Sequence, residues 1–140
     1  TNPGEPLRPL SETASGGEIS RIMLAFRHIT GDSDRIDTMI FDEIDTGISG
    51  HTALTVGRKM KEISKKHQIL CITHLPQIAA YGNENFLIEK DLSTGKSETI
   101  ITDLDCQGKI NMLASLFSGG ASGKSAEAAE ELMNKVESES

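Results

Sequence analysis

The chain has 140 residues, of which 36% are hydrophobic, and it carries a net charge of −7 with a pI of about 5.0. This composition supports one domain with its own core, and no stretch approaches the ~20 apolar residues that a membrane span requires. The acidic balance and the aromatic content of 4% argue against a surface devoted to gripping DNA or stacking on bases.

The first 13 residues include three prolines and a glycine, which predicts an extended segment. The chain starts at Thr1 and shows no secretory signal pattern, so we expect a piece of a longer cytoplasmic protein. A helix is predicted from Gly17 onward because apolar residues recur at steps of three and four. They form one stripe: Ile19, Ile22, Met23, Phe26 and Ile29.

The start of this helix is a candidate anion site. Ser15 is a natural N-cap residue, and Glu18 completes a capping-box pattern. The first amides of a helix lack internal partners, and Gly16 and Gly17 allow a phosphate to approach the backbone closely. An ordinary capped helix explains the same residues. Glu18 is discordant with a phosphate site, so its carboxylate either turns back to the Ser15 backbone or contacts a neighbouring protein.

Two acids follow the next predicted element. Residues 31–34, Gly-Asp-Ser-Asp, end the helix, and the apolar run 38–41 predicts a short buried strand of a parallel sheet. Asp42 and Glu43 then lie at the strand end, where open α/β sheets bind ligands. Phosphoryl transfer needs one acid to hold Mg²⁺ and one group to orient water, and Asp42 and Glu43 fit these roles respectively. Adjacent strand residues point to opposite faces, so these roles need different faces or a bend. Alternatively, both acids cap the following turn.

A loop over 47–50 leads into a helix predicted over 49–66, followed by a second buried strand over 68–73. Strand, helix and strand form one crossover, which implies a right-handed parallel connection. Cys71 in the second strand is interpreted as a small buried hydrophobe. Asp45 could cap the loop or contact an apposed subunit, and both interpretations stay open. The helix also carries basic residues, which we interpret as a solvated face: Arg58, Lys59, Lys61, Lys65, Lys66 and His67.

His74 follows the second strand directly. A histidine at a strand end beside two carboxylates can donate to a phosphate oxygen, so His74 is a candidate catalytic residue. A structural histidine is the alternative.

The rest of the chain predicts a short helix after Pro76, a hairpin and two helices. The hairpin strands cover 85–90 and 97–103, and their spacing suggests a sheet edge. The helices lie near 109–117 and 122–136. The run Gly-Gly-Ala-Ser-Gly-Lys-Ser at 119–125 imitates a Walker A loop, but the spacing from its glycines to Gly-Lys is too short. We interpret this run as a helix-to-helix linker.

Three runs together resemble the RecN family of bacterial DNA repair proteins, which are SMC-like ATPases. These runs are Ala14–Glu18, which is similar to an ABC signature, Ile40–Gly50, which is similar to a Walker B strand and its following loop, and Cys71–Ala80. The likeness covers roughly Asn2 to Met133. The resemblance implies an α/β fold: the C-terminal lobe of a P-loop NTPase head of the ABC/SMC-like type. It has a mostly parallel sheet flanked by helices, with an edge hairpin, and forms one domain over 1–140.

The resemblance also implies a split site for ATP and Mg²⁺. The Walker A loop and the coiled coil would lie in an upstream part of the protein, and two heads would sandwich the nucleotides. Ser15, Gly16 and Gly17 would contact the γ-phosphate held by the opposite head. Asp42 would support Mg²⁺, Glu43 would activate water, Asp45 would lie at the dimer seam, and His74 would be the switch histidine.

The partners implied are the N-terminal lobe, a second head and DNA, with no membrane, in the bacterial cytoplasm at the nucleoid. The family role is recombinational repair of double-strand breaks. The 140-residue segment alone is expected to hydrolyse little ATP because the phosphate cradle is missing. Two alternatives stay open: a non-catalytic module for ATP-dependent dimerisation or docking, and a fragment of another ABC-type ATPase.

Overall fold

A computed structural model describes residues 9–30, 36–91, 97–118 and 123–139 of the chain. Within these ranges helices and strands alternate before two helices close the chain. In chain order the elements are α1 Leu10–Thr13, α2 Gly16–Thr30, β1 Thr38–Phe41, α3 Gly50–Ser64, β2 Gln68–Cys71, α4 Pro76–Ala79, β3 Phe86–Asp91, β4 Glu98–Asp103, α5 Cys106–Ser118 and α6 Gly123–Ser138.

The predicted parallel crossover is confirmed. Strands β1 and β2 pair in parallel, with Thr38 opposite Gln68 and Phe41 opposite Cys71, and α3 connects them. The apolar stripe of α3 is buried as its periodicity predicts, because its members pack under the sheet: Ala53, Val56, Met60 and Ile63. This unit places the ends of β1 and β2 side by side, at the edge where Asp42 and His74 follow them.

The described residues form two apolar cores. The first lies between α2, β1 and α3 and centres on Ile44, which has no exposed surface. The second joins the end of α4 to the last two helices, with Leu113 of α5 and Ala129 of α6 fully buried. Tyr81, just after α4, belongs to the second core, whereas Ile78 within α4 belongs to the first. The short helix α4 therefore connects the two halves of the structure.

The described residues cover one face of the parallel sheet and leave the other exposed. In β1, Met39 and Phe41 are buried while Ile40 is 70% exposed. On the second strand and its extension, Leu70 and Ile72 are 48% and 59% exposed. The prediction of a buried strand therefore holds for one face of β1 and is wrong for the other in the described part of the chain, because successive side chains point to opposite faces and one face lacks a partner there.

Helix α2 has the predicted extent, but its apolar stripe does not face the core. The stripe residues range from 37% exposure at Ile19 to 82% at Ile29, and Leu24 is buried instead. Periodicity identifies an apolar face but not what covers it. The short helix α1 also replaces the end of the predicted extended segment, whereas residues 1–8 lie outside the described residues.

The hairpin and the terminal helices form as predicted, with one correction. Strands β3 and β4 pair antiparallel, but in the described residues they form their own two-stranded sheet instead of an edge of the parallel one. Alternation within a strand does not encode which strand lies beside it. The predicted turns at 31–34 and 92–95 and the linker residues 119–122 lie outside the described residues. Gly123 to Ser125 open α6, so this part of the Walker A imitation is helical.

Candidate functional site

The start of α2 forms the predicted capping box. The Ser15 amide donates to Glu18 Oε2 at 2.8 Å, the Ser15 hydroxyl lies 3.1 Å from the same oxygen, and the Glu18 amide lies 3.3 Å from Ser15 Oγ. The backbone and hydroxyl hydrogen bonds from Ser15 lower the pKa of Glu18 below its ordinary value. The discordant acid thus turns back to Ser15, as one of the two interpretations predicts.

Helix α2 begins directly against the turn that follows β1. A Cβ on Gly17 would lie 2.6 Å from the Glu43 carbonyl oxygen, and one on Gly16 would lie 2.9 Å from Glu43 Oε2. Real Cβ atoms essentially never come within 3.0 Å of a heavy atom outside their own chain neighbours. A side chain on Gly17 would meet fixed backbone, so the close approach of the helix start to Glu43 requires this glycine in addition to any role in binding a phosphate. A side chain on Gly16 would meet only the movable end of the exposed Glu43 side chain.

Two residues of α2 that sequence reasoning missed hold this contact. Ser20 Oγ donates to the Asp42 carbonyl at 3.1 Å. Arg21 Nη1 donates to the carbonyl oxygens of Ile44 and Thr46 at 2.9 and 2.8 Å. Arg21 follows Gly17 by four positions, so it lies on the same helix face as the glycine that touches the turn. That spacing is the signal by which it could have been found.

The two acids lie in a bend, which resolves how neighbours on a strand can share one site. Strand β1 ends at Phe41, and Asp42 and Glu43 are both exposed beyond it. Glu43 has a φ of 56°, the left-handed region that costs a non-glycine residue about 1–2 kcal/mol. The Thr46 amide closes the turn by donating to the Glu43 carbonyl at 3.0 Å. Backbone strain of this kind clusters at functional sites, so it supports Glu43 as a functional residue.

Asp45 is buried, in contrast to the two acids before it. One of its oxygens, Oδ2, accepts from the Thr73 hydroxyl at 2.6 Å and the His74 amide at 2.8 Å, and lies 3.1 Å from His74 Nδ1. Burial alone would raise the pKa of Asp45, but the hydrogen bonds from Thr73 and His74 and the nearby imidazole outweigh it and lower the pKa. The Asp45 side chain is 3% exposed and that of His74 is 73% exposed.

The predicted residues thus form two neighbouring groups. Gly16 and Gly17 lie against Glu43, and Asp45 contacts His74, with the turn after β1 belonging to both groups. In the described part of the chain, no three His, Cys, Asp or Glu side chains are placed to hold a metal ion together. Asp42 offers a carboxylate, the type of ligand that Mg²⁺ uses in combination with substrate phosphates.

Cys71 is only partly buried, packed against the first core, and the basic helix face makes contacts within the chain. Burial and the nearby charges of Asp45 and Asp42 raise the pKa of Cys71 to about 12, which keeps its thiol protonated and unreactive. Several basic residues of the α3 region have partners within the chain: Lys59 with Glu62, Lys61 with Asn83, and His67 with the Ile36 carbonyl. This supports a solvated helix face.

Curated relatives match most of this chain. It is 44% identical over 119 residues to the DNA repair protein RecN of Vibrio cholerae, covering 85% of this chain and 22% of that protein. RecN of Bacillus subtilis is 43% identical over 85% of this chain and 21% of its own length. RecN of Xylella fastidiosa strain Temecula1 is 43% identical over 92% of this chain and 23% of its own length. The chain therefore spans about a fifth of the length of these relatives.

The chain shares its fold with part of a solved structure from the SMC ATPases. A solved structure from work on ATP-driven dimerisation and DNA-stimulated activation of SMC ATPases superposes with a TM-score of 0.58 at 21% sequence identity. The match covers 82% of this chain and 68% of that one. No protein-family model matches the chain. Within the described ranges, no helix is long and apolar enough to cross a membrane.

Proposed function

We propose, on the premise that this chain is a RecN-like segment with the fold of an SMC ATPase head, that it forms the C-terminal lobe of an ATP-hydrolysing head. The observation that carries the proposal is the turn after β1. It joins a glycine-rich helix start, two exposed acids and an exposed histidine within one short stretch of structure. These are the parts that phosphoryl transfer requires: anion-binding amides, a metal ligand and a residue that orients water.

The roles divide along the two groups of the site. Asp42 would hold Mg²⁺, which when bound supplies neutralisation of the phosphate charge. Glu43, held in its bend, orients the attacking water and accepts its proton. His74 donates a hydrogen bond to a phosphate oxygen. The amides of Gly16 and Gly17, with the Ser15 hydroxyl, bind the phosphate end of a nucleotide held by a second head.

The uncovered face of the parallel sheet supports an N-terminal lobe as the first partner. Ile40, Leu70 and Ile72 form an exposed apolar strip on that face. A strip of large apolar side chains on one sheet face marks an interaction surface. The remaining four fifths of a RecN-length protein supplies the covering lobe, together with the Walker A loop that this segment lacks.

The second partner is another copy of the head, and the third is DNA. The similar SMC structure concerns ATP-driven dimerisation and DNA-stimulated activation, and the relatives are DNA repair proteins. We infer that this protein likewise couples head dimerisation to DNA repair, in the bacterial cytoplasm at the nucleoid. The net charge of −7 supports a DNA contact mainly outside this segment.

The catalytic assignment is tested in the full-length protein with Glu43→Gln. The amide keeps the size of the side chain but cannot accept a proton, so the variant is expected to bind ATP and stop turning it over. Glu89→Gln on the exposed strand β3 is the matched control and should leave turnover unchanged. Wild-type hydrolysis by Glu43→Gln would defeat the assignment of Glu43.

The split site is tested by mixing this segment with a separately made N-terminal lobe. Turnover is expected only on mixing, and Ile40→Glu should prevent binding between the lobes because it places a charge in the apolar strip. Ile88→Glu, at an equally exposed position of β3, is the matched control. Binding without any turnover, in the presence of DNA and with the coiled coil restored, would favour a non-catalytic docking module instead.

A further inference from the structure

The buried carboxylate of Asp45 organises the whole segment that follows β2. Its Oδ2 receives the Thr73 hydroxyl and the His74 amide and contacts the His74 ring. The Thr73 hydroxyl in turn accepts from the Leu75 amide at 3.1 Å. Three consecutive residues beyond β2 are therefore tied, directly or through one hydroxyl, to a single oxygen atom of a buried side chain.

The chemistry of these donors fixes the state of the histidine ring. An ionised carboxylate only accepts hydrogen bonds, so His74 Nδ1 must carry the proton where it meets Asp45. The other nitrogen, Nε2, lies on the far side of a ring that is largely exposed. Nε2 is therefore the nitrogen available to a ligand, and the ring cannot turn over without losing its contact with Asp45.

We propose that Asp45 and Thr73 are positioning residues that hold His74 with Nε2 directed at the reacting phosphate. This inference rests on the proposed ATPase function and deepens it. It gives Asp45 a role inside its own head, acting through His74, rather than one at the dimer seam. The contacts of Asp45 with the Thr73 hydroxyl and the His74 amide are sufficient to fix the backbone after β2. The third contact, with the His74 ring, adds nothing to the backbone and acts only on the orientation of the imidazole.

The first test is a double-mutant cycle in the full-length protein, with kcat and KM measured for ATP. Asp45→Asn keeps the volume, but its amide can donate to Nδ1 and so favours the wrong ring tautomer. We expect kcat to fall by about tenfold to a hundredfold with little change in KM. His74→Ala should cost a similar factor, and the double variant should be no worse than His74→Ala, because the two residues act as one unit. An undiminished loss from Asp45→Asn in the His74→Ala background would show a structural role and overturn the inference.

A second pair of variants tests the same proposal if Asp45→Asn does not fold. Thr73→Val removes the hydroxyl at constant shape and should lower kcat, whereas Thr73→Ser keeps the hydroxyl and should retain it. Equal activity of the valine and serine variants would contradict the role of Thr73 in positioning His74.

A readout independent of turnover separates this inference from the proposed function. In ¹⁵N-histidine-labelled full-length protein, the His74 signals are identified by their absence in His74→Ala. They should show a proton on Nδ1 in the wild type and a shift toward the Nε2-protonated ring in Asp45→Asn. An unchanged ring signal in Asp45→Asn would overturn the inference even if the protein is an ATPase. If Glu43→Gln leaves turnover intact while the ring signals behave as expected, the proposed catalytic role of Glu43 fails and the placement of His74 by Asp45 stands.

Discussion

Replacing Gly17 by alanine is expected to push α2 away from the turn after β1 and to lower both stability and ATP turnover of the full-length protein. The added methyl would lie 2.6 Å from the Glu43 carbonyl, 3.0 Å from Arg21 Nη1 and 3.1 Å from Thr46 Cβ. Ordinary contact begins at 3.4 Å, so the helix and the turn must separate by about 0.8 Å. Alanine gains up to ~1 kcal/mol of helix propensity, but overpacking against backbone costs about 1–3 kcal/mol. We expect a net loss of about 1–2 kcal/mol, and a fall in kcat of at least about tenfold because Glu43 is displaced.

Two other glycines provide matched controls for this prediction. A methyl on Gly57 would lie 2.4 Å from Tyr81 Cδ2 in the core, so Gly57→Ala should reduce stability and leave kcat of the folded protein unchanged. A methyl on Gly123 would meet no described atom within 4 Å, so Gly123→Ala should leave kcat unchanged and should not reduce stability. Thermal unfolding and ATP turnover of the three variants are measured side by side. Wild-type stability and turnover in Gly17→Ala would refute the reasoning, and so would equal loss of kcat in Gly57→Ala.

Three further predictions concern single contacts. Arg21→Ala leaves two carbonyl groups of the turn without their donor, so chemical denaturation should show a loss of about 1.5–3 kcal/mol. The Tyr81 hydroxyl donates to Glu139 at 2.6 Å, and burial followed by this bond raises the pKa of Tyr81 to about 12. Because the folded state binds this proton more tightly, its stabilising effect is present below pH 10 and is lost as the pH rises toward 12, and Tyr81→Phe should flatten that decline in thermal unfolding. Iodoacetamide should label the exposed Cys106 faster than the partly buried Cys71, whose pKa is raised to about 12. Equally rapid labelling of both thiols in the native protein, seen by mass spectrometry, would contradict this prediction.

The sequence predicts the helices and strands of this fold well because each type of element has its own spacing of apolar residues. The crossover from β1 through α3 to β2 was predicted within two residues at most boundaries, and the capping box at Ser15 was predicted with its partner. What covers each apolar face is a different question. The stripe of α2 and the outer face of β1 are exposed, because burial depends on partners that periodicity does not identify.

The candidate site was predicted as a set of residues, and its contacts were predicted only in part. Motifs select Glu43 and His74 because chemistry restricts which residue types can act at a strand end. They do not reveal that Arg21 holds the turn or that Thr73 completes the environment of Asp45, since both are hydrogen bonds between residues more than 20 positions apart. Such contacts follow from the packing of α2 and β2 on the turn, and packing is established only when the whole chain is folded.

The turn at 42–46 is held from two sides, by α2 and by the segment after β2. It therefore connects the two groups of the proposed ATP site, the start of α2 and His74. Ser20 and Arg21 of α2 bond to its carbonyl groups, while Asp45 in the same turn bonds to His74. Interactions this short do not stretch by an ångström without breaking, so a shift of α2 must move the turn or release it. If the start of α2 binds the nucleotide of a second head, a shift of α2 would move the turn and, through Asp45, the His74 side chain. On the proposed function, the placement of His74 would therefore depend on whether a second head has bound.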